Sequence, residues 1–455
     1  MLARMQFLRP ALLLASAISA SGLACSNDGP LSDSEMDTLR KFKLPSGLPQ
    51  DPSNAFGDDA NVAAFGQKLF FEPVFAGPLG PYNVAAGANG ALGAAGEPGK
   101  VGCASCHNPM TAGVDQRSLP NATSLGAGYT SRNAPTVINA AYSPSWQFWD
   151  GRADSLWAQA LGPPEGAVEC NSSRLAVAHK IFDLYPSDYA ALFGPLPAEL
   201  ADTARFPLTG KPGEKSWDDM LPDDKVTVNR IYANFGKAIA AYERQLISNN
   251  FTPSPFDAFM ADPKASPMSD AAIRGARLFV GHAGCTECHS GPMFTDSTFH
   301  NIGAPQTGEH VPAIDDGRAK GLATLLTADF NRRSMYSDSD QNTAYLDLQA
   351  PLDDATTTRL EGLFKTPSLR NVSRTAPYMH DGAYPTLWDV VNHYNFGGAT
   401  GNYSGTKDPA IAPLMLSDAE LSDLVEFLRA LEDGPLSPYI DPNLLLKPHL
   451  ASDPP

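Results

Sequence analysis

At 455 residues with a net charge of −17, the chain is long enough for two domains and too acidic to favour nucleic acid or a strongly acidic partner surface. A soluble protein that docks cationic patches fits that balance. Beyond the N-terminal segment no stretch is apolar enough to span a bilayer, so membrane attachment is expected only through the leader.

That leader, residues 1–25, carries Arg4 and Arg9, an apolar run from Ala11 to Ala20, and then Gly22-Leu23-Ala24-Cys25, the order of an export signal ending at a cysteine. It resembles a bacterial lipoprotein signal lipidated at Cys25, although Gly22 stands where an aliphatic residue is usual; ordinary cleavage nearby is the alternative. Either outcome puts the mature chain outside the cytoplasm, in a periplasmic or other extracytoplasmic space. Residues 26–53, with Ser, Asp, Gly and Pro and little periodicity, read as a flexible tether.

From Asn61 to Phe71 the residues Val62, Phe65, Leu69 and Phe70 fall at helical spacing, with Gly66 permitting close approach of another helix or a bound group. The pattern recurs at Ile273-Arg274-Gly275-Ala276-Arg277-Leu278-Phe279. Each copy precedes a Cys-X-X-Cys-His pentapeptide: Cys103, Cys106 and His107 in the first, Cys285, Cys288 and His289 in the second. The two halves therefore read as diverged repeats. A Gly/Ala/Pro-rich loop precedes the first pentapeptide, and a second long polar insertion runs over 307–354. Val228, Ile231, Tyr232, Phe235, Ile239, Tyr242 and Leu246 mark a long amphipathic helix, and Ser417 and Glu420 form a capping box ahead of Leu421, Leu424, Val425, Leu428 and Leu431. No run of alternating strands competes.

The pentapeptide spacing has a chemical reason. Two thiols separated by two residues can form thioethers to the two vinyl groups of one porphyrin, and the adjacent imidazole is then the proximal iron ligand. A zinc site would need both cysteine pairs close enough to share one tetrahedron. Two covalently bound haem c groups are thus expected in a mostly α protein with two cytochrome c-like haem domains and long loops: 54–250, a linker at 251–268, 269–440, and a tail at 441–455. Of six cysteines, four enter thioethers, Cys25 is the lipidation candidate and Cys170 is left without an obvious disulfide partner.

Phe148-Trp149-Asp150-Gly151-Arg152-Ala153, Arg132-Asn133-Ala134-Pro135-Thr136, and Thr366 to Asn371 followed by Pro377-Tyr378-Met379-His380-Asp381-Gly382 resemble the signature blocks of bacterial di-haem cytochrome c peroxidases and MauG-type enzymes. The similarity runs from about Ala60 to Leu431. It implies that hydrogen peroxide reacts at the His107 haem, with Glu169 as distal acid/base, Gln159 as the distal glutamine, Pro163 in the pocket wall and Trp149 between the haems. Asn133, Thr375 and Pro377 match positions that hold calcium in the family; ordinary turn chemistry is the alternative. Relatives commonly have methionine at Cys170, where a buried inert thiol competes with an oxidisable or ligating one.

Many of the peroxidases close the first haem with a histidine in the following loop, but no histidine lies between Asn108 and Ala178. A five-coordinate iron is expected, with Met110 or a water as the alternative cover. At the second haem Tyr394 stands where the peroxidases have a methionine ligand and MauG-type enzymes a tyrosine; His393 and Met379 are the competing ligands. The resemblance points to a MauG-like enzyme, closest to the MbnH type, that oxidises a partner protein through a high-valent di-haem state. Two alternatives stand beside it: a cytochrome c peroxidase fed by a small cytochrome, and a non-catalytic di-haem electron carrier.

Overall fold

The computed structural model describes residues 30–435 apart from 118–122, 144, 341–342, 344–346 and 348–350. Cys25 with its leader and the 441–455 tail lie outside them. The described chain is mostly helical, and its two short strands, β1 (Phe299–His300) and β2 (Phe364–Lys365), pair antiparallel with Phe299 opposite Lys365. No helix among the described residues is long and apolar enough to cross a membrane.

The helices that place the chemistry are α1 (Asp33–Arg40), α2 (Ala60–Phe71), α3 (Cys103–Cys106), α4 (Leu156–Gln159), α5 (Pro222–Glu243), α6 (Asp270–Val280), α7 (Leu387–Asn395) and α8 (Asp418–Arg429). Helix α2 packs on α5, and α6 packs on α8. Both contacts are backbone-close at a glycine: a Cβ on Gly66 would lie 1.8 Å from the Ala238 carbonyl oxygen, and one on Gly275 would lie 1.9 Å from that of Asp423. Four residues beyond each glycine the same ring contact recurs, Phe70 with Tyr242 at 5.3 Å and Phe279 with Phe427 at 5.2 Å between centroids. The repeat read in the sequence is a repeat in space.

Each helix pair anchors its own apolar cluster. One gathers Val62, Phe65, Trp157, Val228 and Tyr232, with Cys103 packed against it; the other gathers Phe256, Phe294, Leu424 and Phe427, with Cys285 packed against it. The Ser417 capping box that starts α8 forms as the spacing implied.

The segment expected to be a tether is different. Ser32 and Glu35 cap α1 reciprocally, Leu39 and Phe42 are buried in the second cluster, and Phe42 stacks on Phe294 at 4.5 Å. Glu35 also pairs with Arg277 of α6 at 3.1 Å. Two apolar anchors suffice because the cap satisfies the helix terminus and the second cluster supplies the rest of the burial. Residues N-terminal to the first half thus pack on the second.

Candidate active site

Helix α3 presents the first thiol pair. His107 follows with its backbone N–H on the Cys103 carbonyl at 2.9 Å, and its Nδ1 faces the Gly113 carbonyl at 3.4 Å. In the second motif the His289 N–H bonds the Cys285 carbonyl at 2.8 Å, and Nδ1 faces the Phe294 carbonyl at 2.8 Å. A carbonyl at Nδ1 fixes the tautomer and leaves Nε2 for iron. Burial holds both imidazoles below their ordinary value, so they are neutral, the form that ligates. Burial also pushes the thiols of Cys103, Cys106 and Cys285 up to about 12. Apolar surroundings, paired thiols and a neutral imidazole fit a haem at each motif.

Glu169 faces the first motif. Its N–H bonds the Gly166 carbonyl at 3.1 Å and its carbonyl accepts from Ala127 N at 2.7 Å, so both flanks of the turn are held by backbone. Gly126 must be glycine, since a Cβ there would fall 2.6 Å from the Glu169 carbonyl oxygen, and a Cβ on Gly166 would lie 2.3 Å from Glu169 Oε2 and displace the carboxylate. Burial raises the Glu169 carboxyl and the nearby Arg152 guanidinium opposes the rise. Its charge in turn acts on Cys103 and Cys106. Pro163 accepts from Cys170 N at 3.1 Å, and the buried Cys170 thiol lies against the Val101 carbonyl. Gln159 ends α4, half-buried; no hydrogen bond joins it to Glu169 among the described residues. Met110 is 53 % exposed.

Trp149 ties the halves together. Its Nε1 donates to the Asn133 carbonyl at 2.9 Å, and its own carbonyl accepts from Lys365 N of β2 at 2.7 Å. Asn133 in turn donates from Nδ2 to the Pro377 carbonyl at 2.6 Å and from N to the His380 carbonyl at 2.8 Å. Asn133 and Pro377 therefore meet directly, with the Asn133 amide NH2, not its oxygen, turned to the Pro377 carbonyl. Thr375 bonds within its own turn, Oγ1 to the Val372 carbonyl at 3.1 Å. Beside this junction Arg132 bridges Asp150 and Asp315, at 2.6 Å each.

Tyr394, on α7, lies near enough to Cys285 and Cys288 for their charges to act on its phenol, which burial raises above its ordinary value. Among the described residues the phenol has no hydrogen-bond partner. Its competitor His393 has both ring nitrogens engaged, Nδ1 with the Tyr384 hydroxyl and Nε2 with the Ile302 carbonyl, each at 3.0 Å.

The family described as di-haem cytochrome c peroxidase matches residues 60–265. A cytochrome-c peroxidase of Denitromonas iodatirespirans, IdrP1, is 33 % identical over 352 residues, covering 75 % of this chain and 79 % of that one. The chain belongs to the di-haem cytochrome c peroxidase family. The methylamine utilization protein MauG of Methylorubrum extorquens is 28 % identical over 426 residues, 92 % of each chain. Among solved structures, the diheme peroxidase BthA from Burkholderia thailandensis E264 aligns with a TM-score of 0.58 at 24 % identity, covering 86 % of this chain and 90 % of that one, and so shares the fold.

As a di-haem cytochrome c peroxidase relative the protein is an oxidoreductase of the peroxidase type with two haem cofactors. The structure gives roles to three residues that the sequence reading left without one. Arg152 lies over the Phe148 ring at 3.5 Å and supplies the charge that opposes the rise of Glu169. Arg117, paired with Asp115 at 2.9 Å, points Nη2 at Cys106 Sγ at 3.5 Å. His300 is clamped between Asp296 and Asp408, each at 2.8 Å, beside Cys288. Arg152 stands in a signature block, but its place beside Glu169, that of Arg117 beside Cys106 and that of His300 between Asp296 and Asp408 depend on segments brought together by the fold.

Proposed function

We propose that this protein is an exported, MauG-like di-haem peroxidase that uses hydrogen peroxide to oxidise a partner protein. The two apolar clusters support two haem domains near 54–250 and 269–440, although Phe256, Phe259 and Met260 of the expected 251–268 linker pack in the second cluster and Phe330 and Tyr336 pack in the first. His107 and His289 would hold the two irons through Nε2, and Tyr394 would ligate the second iron from the other side. When bound, the His107 haem supplies the iron that exchanges electrons with peroxide. Glu169, assisted by Gln159, takes a proton from one peroxide oxygen and returns it to the one that leaves as water. Trp149 provides an oxidisable ring between the haems, and Asn133, Thr375 and Pro377 would hold calcium through oxygen atoms beside it. Cys25 would carry a lipid that tethers the chain to a membrane outside the cytoplasm.

The observation that carries the MauG-like reading is the unpartnered Tyr394 phenol beside Cys285 and Cys288 while both His393 nitrogens are engaged. A phenolate is an anionic donor that stabilises oxidised iron. The test is electron paramagnetic resonance of the diferric protein. One high-spin and one low-spin signal, with the low-spin signal altered in Tyr394→Phe and both depleted by stoichiometric peroxide, is the expected result. A low-spin haem unchanged in Tyr394→Phe would sink it. The identity to a protein named cytochrome-c peroxidase favours the second reading, peroxide reduction with electrons from a small cytochrome, which rapid steady turnover with reduced cytochrome c would establish.

A further inference from the structure

On α5, Glu243 is 3 % exposed, and its Oε2 has no hydrogen-bond partner among the described residues. An unpaired buried carboxyl is costly, so its presence calls for a use. The internal repeat shows what an ordinary residue does at this place. Ala238 and Asp423 meet the paired glycines Gly66 and Gly275, and Tyr242 and Phe427 meet the paired rings Phe70 and Phe279. Counted onward from these, Glu243 corresponds to Leu428. Leu428 is a buried apolar member of the second cluster, the residue type expected on the packed face of a helix. The second half keeps leucine; the first half carries a carboxyl.

Its surroundings are specific. The charge of Glu243 acts on Cys103, whose sulfur would bear a thioether, and on Tyr242 beside it. Burial alone pushes Glu243 up, to about 8. Charged groups on the neighbouring elements are engaged elsewhere. Lys68 of α2 pairs with Asp188 at 2.8 Å, Arg244 with Asp58 at 2.7 Å and Lys237 with Asp338 at 2.8 Å. Glu72 accepts the Tyr185 hydroxyl at 3.1 Å, and Asp115 beyond the motif is paired with Arg117. Glu169 approaches the same cysteines from the 162–171 segment.

We infer that Glu243 is the proton-coupled group of the first haem: it keeps its proton while the haem is reduced and releases it to solvent when the haem loses an electron. One electron leaves the haem and one proton leaves the carboxyl, so the net charge of the buried region is unchanged. The electron goes to whatever oxidises the haem, peroxide in turnover or a redox mediator in a titration. The physical reason is local: a haem one charge more positive makes a nearby carboxylate less costly to form in a low-dielectric interior. Run in reverse, deprotonating Glu243 stabilises the oxidised haem, so the potential of the first haem falls as pH rises. Leu428 gives the second haem no such group at the equivalent place.

The inference rests on a haem at Cys103 to His107 and is indifferent to the eventual electron acceptor. The experiment is a mediated redox titration of the haem-loaded full chain, the two haems followed by their separate paramagnetic signals, at pH values on both sides of about 8. In the wild-type protein the first haem's potential is expected to fall across that range. Glu243→Gln and Glu243→Leu, the latter copying the second half, should show a smaller slope with haem content unchanged. Slopes in both variants that superimpose on the wild type, or a wild-type potential indifferent to pH, would overturn it. Glu169→Gln controls for the other nearby carboxyl: a slope lost there and intact in the Glu243 variants also overturns it. A protein that attaches haem only at Cys285 to His289 would instead sink the site reading beneath it.

Discussion

The Trp149 indole donates its Nε1 proton to the backbone carbonyl of Asn133 at 2.9 Å, and Asn133 passes the connection on to Pro377 at 2.6 Å. A tryptophan fixed at its polar edge while its backbone is bonded by Lys365 of the other half has little freedom to turn. Trp149→Phe should keep most of the packing and lose the easily oxidised indole. Both haems should attach and peroxide should still react. Oxidation of the second haem should slow on the order of tenfold or more, equivalent to ~1.4 kcal/mol of barrier. Rapid-freeze paramagnetic resonance after stoichiometric peroxide reads this directly; depletion of both ferric signals at the wild-type rate would leave Trp149 a packing residue.

Arg132, with only 12 % of its side chain exposed, holds Asp150 and Asp315 at the junction. Despite burial, which raises them, the neighbouring guanidinium groups keep both carboxyls below the ordinary carboxylate range. A group depressed in the folded state contributes stability that is fully present above its unfolded pKa, about 3.9, and is lost as pH falls through the folded value. The junction should therefore weaken in acid below about pH 4. Asp315→Asn should lower stability by about 3 kcal/mol, the low end for breaking a buried pair, because Asp150 still partners Arg132. It should also flatten the acid limb of melting temperature against pH. An unchanged acid limb would mean the transition is governed elsewhere.

Gly66 and Gly275 offer a test of the repeat itself. In an isolated helix, alanine for glycine gains about 1 kcal/mol. Here the new Cβ would sit 1.8 or 1.9 Å from a backbone oxygen of the partner helix, where no side chain can move aside. The clash wins, and each Gly→Ala variant should lose about 3 kcal/mol or more. Thermal unfolding of the haem-loaded variants measures this, and a stabilised variant would show that the helices can separate at little cost.

What was legible in the sequence follows from range. The helices around Gly66 and Gly275 have sharp local periodicity, and the pentapeptides carry their own chemistry, so α2, α5, α6 and α8 were read close to where they form. Helix α1 was missed although Ser32 and Glu35 spell a capping box, because Leu39 and Phe42 gain their burial from a cluster more than two hundred residues away. The meeting of Trp149, Asn133 and Pro377 lies beyond any periodicity. Glu243 was hidden for a different reason. Polar residues on an amphipathic helix normally mark its wet face, and only packing shows that this one does not.

Glu169 gives the most direct test of the peroxide chemistry. A base that accepts a peroxide proton must be ionised, and burial raises this carboxyl, so its reactive form grows as pH rises through the raised value. The rate of the peroxide-induced spectral change, measured by stopped flow, should rise with pH in that interval. Glu169→Gln should lower the rate by ~10²–10⁴-fold and remove the dependence, since an amide cannot take the proton. Arg152→Gln should act differently. Removing the cation that opposes the rise shifts the acid limb to higher pH while leaving the plateau rate near wild type, because the base itself remains. If Arg152→Gln lowers the plateau without moving the limb, the guanidinium contacts the reacting groups and does more than tune Glu169. If Glu169→Gln keeps both rate and pH profile, the proton is moved by another group and the assignment of Glu169 fails.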